Sequence, residues 1–298
     1  MNTFYAHGKL LLTGEYVVID GAKALAIPLK KGQSLHVREL ETKQGKIFLQ
    51  AKKENDEAWL SYEIDYKKKP TNTDDKICHI IFNAQKLNPT FLKESRDYQV
   101  ETKLEFSPEF GWGSSATLYA LISQWAQVSA LDLFFSLEEG SGYDVACALS
   151  QESIIYQKQE NPHWEKAFFD PLFKEHLYFL YLGKKEKTEK AINEYKNKIT
   201  RSEEVVRVIS QLTVDMIKTK QLQNFESLIK IHEEIMSAYL KKTKIKEKFS
   251  SFWGEMKSLG AWGGDFALVT SLRSFTETQS FFKQHGLQIL LPYSEVAL

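Results

Sequence analysis

Three kinds of residue in this chain are spaced for chemistry. Ten of the fifteen glycines fall in four short segments, His7 to Ala26, Ser107 to Leu121, Glu138 to Ser150 and Ser258 to Val269. A carboxylate, Asp144, follows one glycine turn, and a lysine, Lys9, adjoins another. The second segment has the clearest mechanical reading. Gly111-Trp112-Gly113-Ser114-Ser115-Ala116 joins a strand-like stretch to a helix-like one. Its glycines admit positive φ and let an anion approach the backbone. The helix start offers free N–H groups and the positive end of the helix dipole, which suits a phosphate. Ser114 and Ser115 add hydroxyls for phosphate oxygens or for Mg²⁺, a cation that takes few protein ligands beside nucleotide phosphates. The plainer alternative is that Ser114 N-caps the helix and the glycines only turn the chain.

Asp144 closes Gly140-Ser141-Gly142-Tyr143 and opens the apolar run Val145 to Leu149. A carboxylate there could accept a proton from a substrate hydroxyl. It could equally cap the helix that follows. Lys9 is either an exposed strand residue or a charge that keeps such a carboxylate ionised. No GxxxxGK[ST] occurs, so a Walker-type P-loop is excluded. The 111–116 segment does fit the loose GxGxxG/A dinucleotide pattern. That pattern belongs in the first βαβ unit, whereas here it follows roughly 110 residues of mostly strand-like chain. Cys78 and Cys147 have no CxxC or CxxH partner, so they are expected as buried thiols and not as a zinc knuckle or a disulfide framework.

These residues need elements to hold them. Lys9 to Leu12, Tyr16 to Ile19, Leu35 to Leu40, Lys46 to Ala51, Trp59 to Ile64 and Tyr98 to Phe106 read as strands. Tyr66 to Asp75 reads as a solvated loop, and Lys76 to Leu87 as a helix. Leu118, Leu121, Ile122, Trp125 and Val128 recur at helical spacing after Gly113. The texture changes between Asn161 and Pro171. Beyond a strand at His176 to Leu182, the spacing predicts helices over Arg201 to Lys220, Gln221 to Lys242 and Ile245 to Leu259. A strand at Asp265 to Leu272, a helix at Phe275 to His285 and a strand at Leu287 to Leu291 follow. The expectation is an α+β protein of two domains, 1–170 and 171–298.

Lys plus Arg equals Asp plus Glu at 39 each, so no net charge points to nucleic acid as a partner. No apolar run reaches the ~20 residues of a membrane span, and the first residues lack the pattern of a secretory leader. A cytoplasmic protein is expected. No internal repeat or low-complexity segment is present.

Taken in order, the glycine segments resemble the motifs of the GHMP kinase superfamily, and the similarity covers most of the chain. Lys9 to Ala26 resembles its first motif. Pro108 to Ala116 resembles its Pro-x-x-x-Gly-Leu-Gly-Ser-Ser-Ala motif, with Trp112 for Leu. Gly260 to Asp265 resembles its Gly-rich third motif. The resemblance implies a two-domain GHMP kinase fold, with a left-handed βαβ nucleotide domain followed by a ferredoxin-like domain. It implies ATP and Mg²⁺ as cofactors, a small-molecule acceptor, and a monomer or homodimer. Gly111, Gly113, Ser114, Ser115 and Ala116 then match the ATP-phosphate loop, with Ser115 on the metal. Asp144 matches the catalytic carboxylate and Lys9 its partner. Glu15, Tyr16, Gly142, Gly263, Gly264 and Asp265 fall on the acceptor side.

GKLLLTGEYVVIDG and GSGYDVACA resemble phosphomevalonate kinases, while mevalonate kinases usually have His at the place of Tyr16. The acceptor implied is mevalonate or phosphomevalonate, in isoprenoid precursor synthesis. A nucleotide or metabolite sensor on the same fold, and an enzyme of the diphosphomevalonate decarboxylase type, are the alternatives. Four departures stand out. A second metal-binding Glu would fall about three helical turns before Asp144, where this chain has Leu133, with Glu138 or Glu139 as stand-ins. Trp262 replaces the central glycine of the third motif. His7, in place of Pro, is expected as a strand-end surface residue. His232-Glu233 is expected as a polar pair on a helix face.

Overall fold

Period-two alternation builds the first sheet. In Lys46–Lys52 the residues Ile47, Leu49 and Ala51 point inward while Phe48 and Gln50 are exposed. The computed structural model describes residues 1–71, 75–183, 188–262 and 264–298. In chain order the elements are β1 (Asn2–Leu11), β2 (Ala24–Glu39), β3 (Lys46–Lys52), β4 (Ala58–Asp65), α1 (Lys76–Leu87), β5 (Tyr98–Leu104), α2 (Ser114–Ala126), α3 (Ala130–Phe135) and α4 (Tyr143–Ala148). Next come β6 (Ile154–Gln157), β7 (His163–Lys166), β8 (Leu177–Tyr181), α5 (Thr188–Lys198), α6 (Glu203–Lys218), α7 (Leu222–Leu240) and α8 (Ile245–Lys248). The chain ends with β9 (Met256–Leu259), β10 (Phe266–Thr270), α9 (Phe275–Gln284), β11 (Leu290–Pro292) and α10 (Tyr293–Val296).

The chain divides into two units. The first comprises residues 1–8, 31–108 and 112–149. Here β4, β3, β5 and β2 lie side by side, with β3 parallel to β5 and the other neighbours antiparallel. The inward strand residues Leu35, Val37, Ile47, Leu49 and Val100 form one core with Ile80, Ile81, Tyr119, Leu121, Leu133 and Val145 of the helices. Each such apolar side chain contributes about 1.5–3 kcal/mol when fully buried.

The second unit comprises residues 9–30, 109–111 and 150–298. Its main sheet runs β11-β8-β10-β9, antiparallel throughout. Strand, helices, two strands, helix and strand, with the fourth strand beside the first, is the split β-α-β arrangement of ferredoxin-like domains. One core lies under this sheet around Phe249, Phe252, Met256 and Phe282. A second gathers Tyr16, Val17, Ile209, Met236 and Trp262. Residues 28–29 are fastened to the last residues, through a bridge between Leu29 and Ala297 and a bond from Leu298 N to Pro28 O at 3.1 Å.

Three sequence expectations need correction. Tyr16 to Ile19 is not a strand: Gly14 takes φ +85° and residues 15–21 coil into turns, with Val18 N bonded to Gly14 O at 2.9 Å. The helix expected over Ile245 to Leu259 stops at Lys248, and Met256–Leu259 is a strand paired with β10. The aromatic pair Phe252–Trp253 and Gly254 sit between them, and aromatic packing replaces the helical stripe there. His7 is buried within β1, edge-on to the Tyr5 ring at 5.0 Å.

Candidate active site

The phosphate-loop candidate begins with a 3₁₀ turn at Pro108–Phe110. Gly111 follows at φ +64° and Gly113 at φ +90°. Gly113 is the N-cap of α2 and, as glycine, supplies no side-chain cap bond. Ser114 is therefore inside the helix, and the plainer alternative, that it N-caps α2, does not hold. Ser114 is half-buried, Ser115 is exposed and Ala116 is buried. This geometry leaves the helix start to an incoming acceptor.

Within the second unit, three glycine segments meet. Phe110 packs against Tyr181 and Phe266, with ring centroids 5.0 and 5.6 Å away. That packing fixes Gly111 beside the start of β10. The Asp265 carboxylate occupies the space a side chain on Gly111 would need, since a Cβ there would fall 1.9 Å from Oδ2. Glycine at 111 is thus required twice, by φ and by Asp265. The Lys9 ammonium, from β1, donates to the Gly111 carbonyl at 3.3 Å. Gly264 is buried and bonds from its N–H to Ala261 O at 2.8 Å. Gly263 lies outside the described residues.

In the first unit, Asp144 is the second residue of α4. The N-cap is Gly142, at φ +83°, so Asp144 is not the capping residue. It is half-buried, and its Oδ1 accepts from Val145 N at 3.0 Å. Leu133 is buried in the core. Glu138 pairs with Lys76 at 2.6 Å and accepts from Tyr119 Oη at 2.9 Å, so it is engaged as a structural link. Among the described residues no three His, Cys, Asp or Glu gather as a metal site.

The second unit also holds a buried polar cluster that the sequence conceals. Glu15 is fully buried and accepts from the Lys257 ammonium, which also donates to Ser258 O at 3.0 Å. His232 Nε2 lies 3.5 Å from the other Glu15 oxygen, and Ser258 Oγ donates to Glu233 at 3.4 Å. Burial pushes the Glu15 carboxyl up, and Lys257 pulls it back. Burial, helped by the Lys257 charge, holds His232 well below its ordinary value. Burial pushes Glu233 up to about 8, with Glu15 adding to the rise and Lys257 opposing it. Tyr16, next to Glu15, accepts from the Trp262 backbone N–H at 2.9 Å. The Trp262 indole turns into the core, donating to Thr243 O at 2.9 Å.

No family model matches the sequence, and no curated protein matches it. Solved structures do. The phosphomevalonate kinase of Streptococcus pneumoniae, in complex with phosphomevalonate and AMPPNP, superposes with a TM-score of 0.74 at 15% identity, over 97% of this chain and 99% of that one. The Methanococcus jannaschii mevalonate kinase gives 0.70 at 17% identity, over 97% and 96%. The galactokinase of Lactococcus lactis, complexed with galactose, gives 0.66 at 12% identity, over 99% and 92%. The chain has the GHMP kinase fold.

On that fold, Lys9, Gly111 and Asp265 come together as neighbours in one unit, and Ser114, Ser115 and Asp144 sit at helix starts in the other. The fold also accounts for the Trp262 departure: the indole is core, so the loop keeps only its backbone. Sequence reasoning missed Lys257, and took His232-Glu233 for a polar pair on a helix face without seeing that the face is buried. Both signals were present. Ile229, His232, Glu233 and Met236 share one helical face of α7, the buried one. Lys257 stands between Met256 and Leu259, in a four-residue stretch that leads into glycines.

Proposed function

We propose that this protein is an ATP- and Mg²⁺-dependent small-molecule kinase whose acceptor is a small acidic metabolite, mevalonate or phosphomevalonate. The observation that carries the reading is the meeting of Lys9, Gly111 and Asp265 within the second unit; in the first unit, the α2 helix start has glycine as its N-cap. Such a helix start binds phosphate through N–H groups and dipole. The fold shared with a phosphomevalonate kinase that holds AMPPNP supports the nucleotide.

In this reading the Gly111-Trp112-Gly113-Ser114-Ser115-Ala116 backbone cradles the nucleotide phosphates. The exposed Ser115 hydroxyl fits one ligand of Mg²⁺, a cation that takes few protein ligands beside nucleotide phosphates. When bound, the cation neutralises charge on the phosphates. Lys9 adds positive charge beside the Gly111 carbonyl. The acceptor oxygen attacks Pγ, the bond from Pγ to the β-phosphate oxygen breaks, and ADP leaves. Where the acceptor is a hydroxyl, its proton passes to Asp144; a phosphate oxygen needs no such transfer. Gly142 sets the turn that presents Asp144, and Asp265 and Gly264 lie on the acceptor side. The protein works in the cytoplasm as a monomer or homodimer. Among the described residues no helix is long and apolar enough to cross a membrane.

The test is ADP release measured with mevalonate, phosphomevalonate, homoserine and galactose. Turnover with one of the first two is expected. Protein that binds ATP and turns over none of them would defeat the proposal, and CO₂ release would point to the decarboxylating alternative.

A further inference from the structure

The first glycine segment is tied to the fourth, and to Lys257 just before it, by two adjacent residues through two different bonds. Glu15 takes the Lys257 ammonium, and Tyr16 takes the Trp262 N–H. Both bonds lie within the second unit. Lys257 stands on β9, three residues before Gly260, and pairs in register with Leu268 of β10. Its neighbours Met256, Ser258 and Leu259 are all buried.

Stability does not explain this arrangement. A buried ion pair is commonly no better than apolar residues of the same volume. The surrounding cluster even leaves Glu15 Oε2, Glu233 Oε1 and both His232 ring nitrogens without a hydrogen bond, a destabilising condition. Tyr16 adopts φ +63°, a left-handed conformation that disfavours a bulky side chain. What such groups supply is a unique register. Apolar contacts tolerate a slip of the 15–21 turns along β9, whereas a buried hydrogen-bonded ion pair is lost when its partners move out of reach.

We propose that Glu15 and Lys257, with Tyr16 and the Trp262 backbone, are positioning residues that set the register of the first glycine segment against the Gly260-Ala261-Trp262 turn. The inference rests on reading these segments as the kinase site. Glu15 and Tyr16 act from behind the loops, since both are buried, Glu15 bonded to Lys257 and Tyr16 to the Trp262 N–H. Lys9 and Gly111 then receive their spacing from Asp265 through this clamp.

The test uses three variants of the full chain. Lys257→Met strands a buried carboxylate and lowers the melting temperature by on the order of 10 °C. The double variant Glu15→Leu/Lys257→Met recovers most of that loss. In the double variant, amide exchange of residues 15–21 and of Trp262 stays at least tenfold faster than in the wild type, and kcat at least tenfold lower. Tyr16→Phe folds normally, speeds exchange at the Trp262 amide and lowers kcat more than it raises KM for ATP. Wild-type exchange and turnover in the double variant would overturn the clamp. So would a double variant that cannot fold, because the pair would then hold the fold and not the register. Unchanged protection of Trp262 in Tyr16→Phe would overturn it as well. If the wild type shows no ATP turnover, the kinase reading fails, and exchange alone decides the clamp.

Discussion

Replacing Glu233 with Gln gives the sharpest physical prediction. Glu233 lies on α7 almost fully buried, near Glu15, His232 and Lys257. Its carboxyl is pushed from 4.5 to about 8, first by burial and then by the Glu15 charge, with Lys257 opposing. Between pH 4.5 and about 8 the folded chain holds this proton and the unfolded chain does not. Stability therefore falls as pH rises through that window and levels off above it. At 1.36 kcal/mol per pH unit the interval amounts to roughly 5 kcal/mol. Gln has the shape of the protonated acid and no proton to lose. The variant should match the wild type near pH 4.5 and exceed it by several kcal/mol at pH 8.5. Urea unfolding at pH 5, 6, 7, 8 and 9 measures the difference directly. A difference that stays constant across that range would refute the reasoning, because it would show that Glu233 keeps an ordinary carboxyl.

Four other outcomes are expected. Asp144→Asn lowers kcat by about 10² to 10⁴ while ATP affinity holds, measured by ADP release and by ATP titration. Gly111→Ala places a Cβ 1.9 Å from Asp265 Oδ2 at φ +64°, so it destabilises by about 1–3 kcal/mol and raises KM for ATP. His232 is held neutral, so the wild type loses stability as pH falls below 6.5; His232→Gln removes that acid-side loss, read by comparing melting at pH 7 and pH 5. Ser202 accepts from Val205 N at 3.3 Å as the N-cap of α6, and Ser202→Ala lowers stability by about 1 kcal/mol in denaturant titration.

Local chemistry made some of this readable from sequence. The Lys76–Leu87 helix and the Ser114 helix show their stripe directly, and the strands flanking residue 50 alternate cleanly. Glycines whose backbone must be left-handed, such as Gly14, Gly111 and Gly113, marked the turns that matter. Three-dimensional partners were not readable. The turns at 15–21 look like a strand because Tyr, Val and Ile are there to fill a core shared with α6 and α7. Met256–Leu259 looks like the tail of a helix until β10 supplies a partner. Glu15 and Lys257 are 242 positions apart. Neither shows by itself that it is buried, because a charge is expected outside until its counter-charge is known.

The fastening of residues 28–29 to residues 297–298 bears on how the molecule is made. Strand β8 pairs with β11 across 110 positions, Leu180 against Leu290. A chain emerging from the ribosome can gather every contact of the first unit once residue 149 is out. In the second unit, residues 28–29 must wait for their partners until residues 297–298 are released. Contacts of such long separation form slowly. The interval between those two moments is when this protein is most open to proteases and most in need of a chaperone.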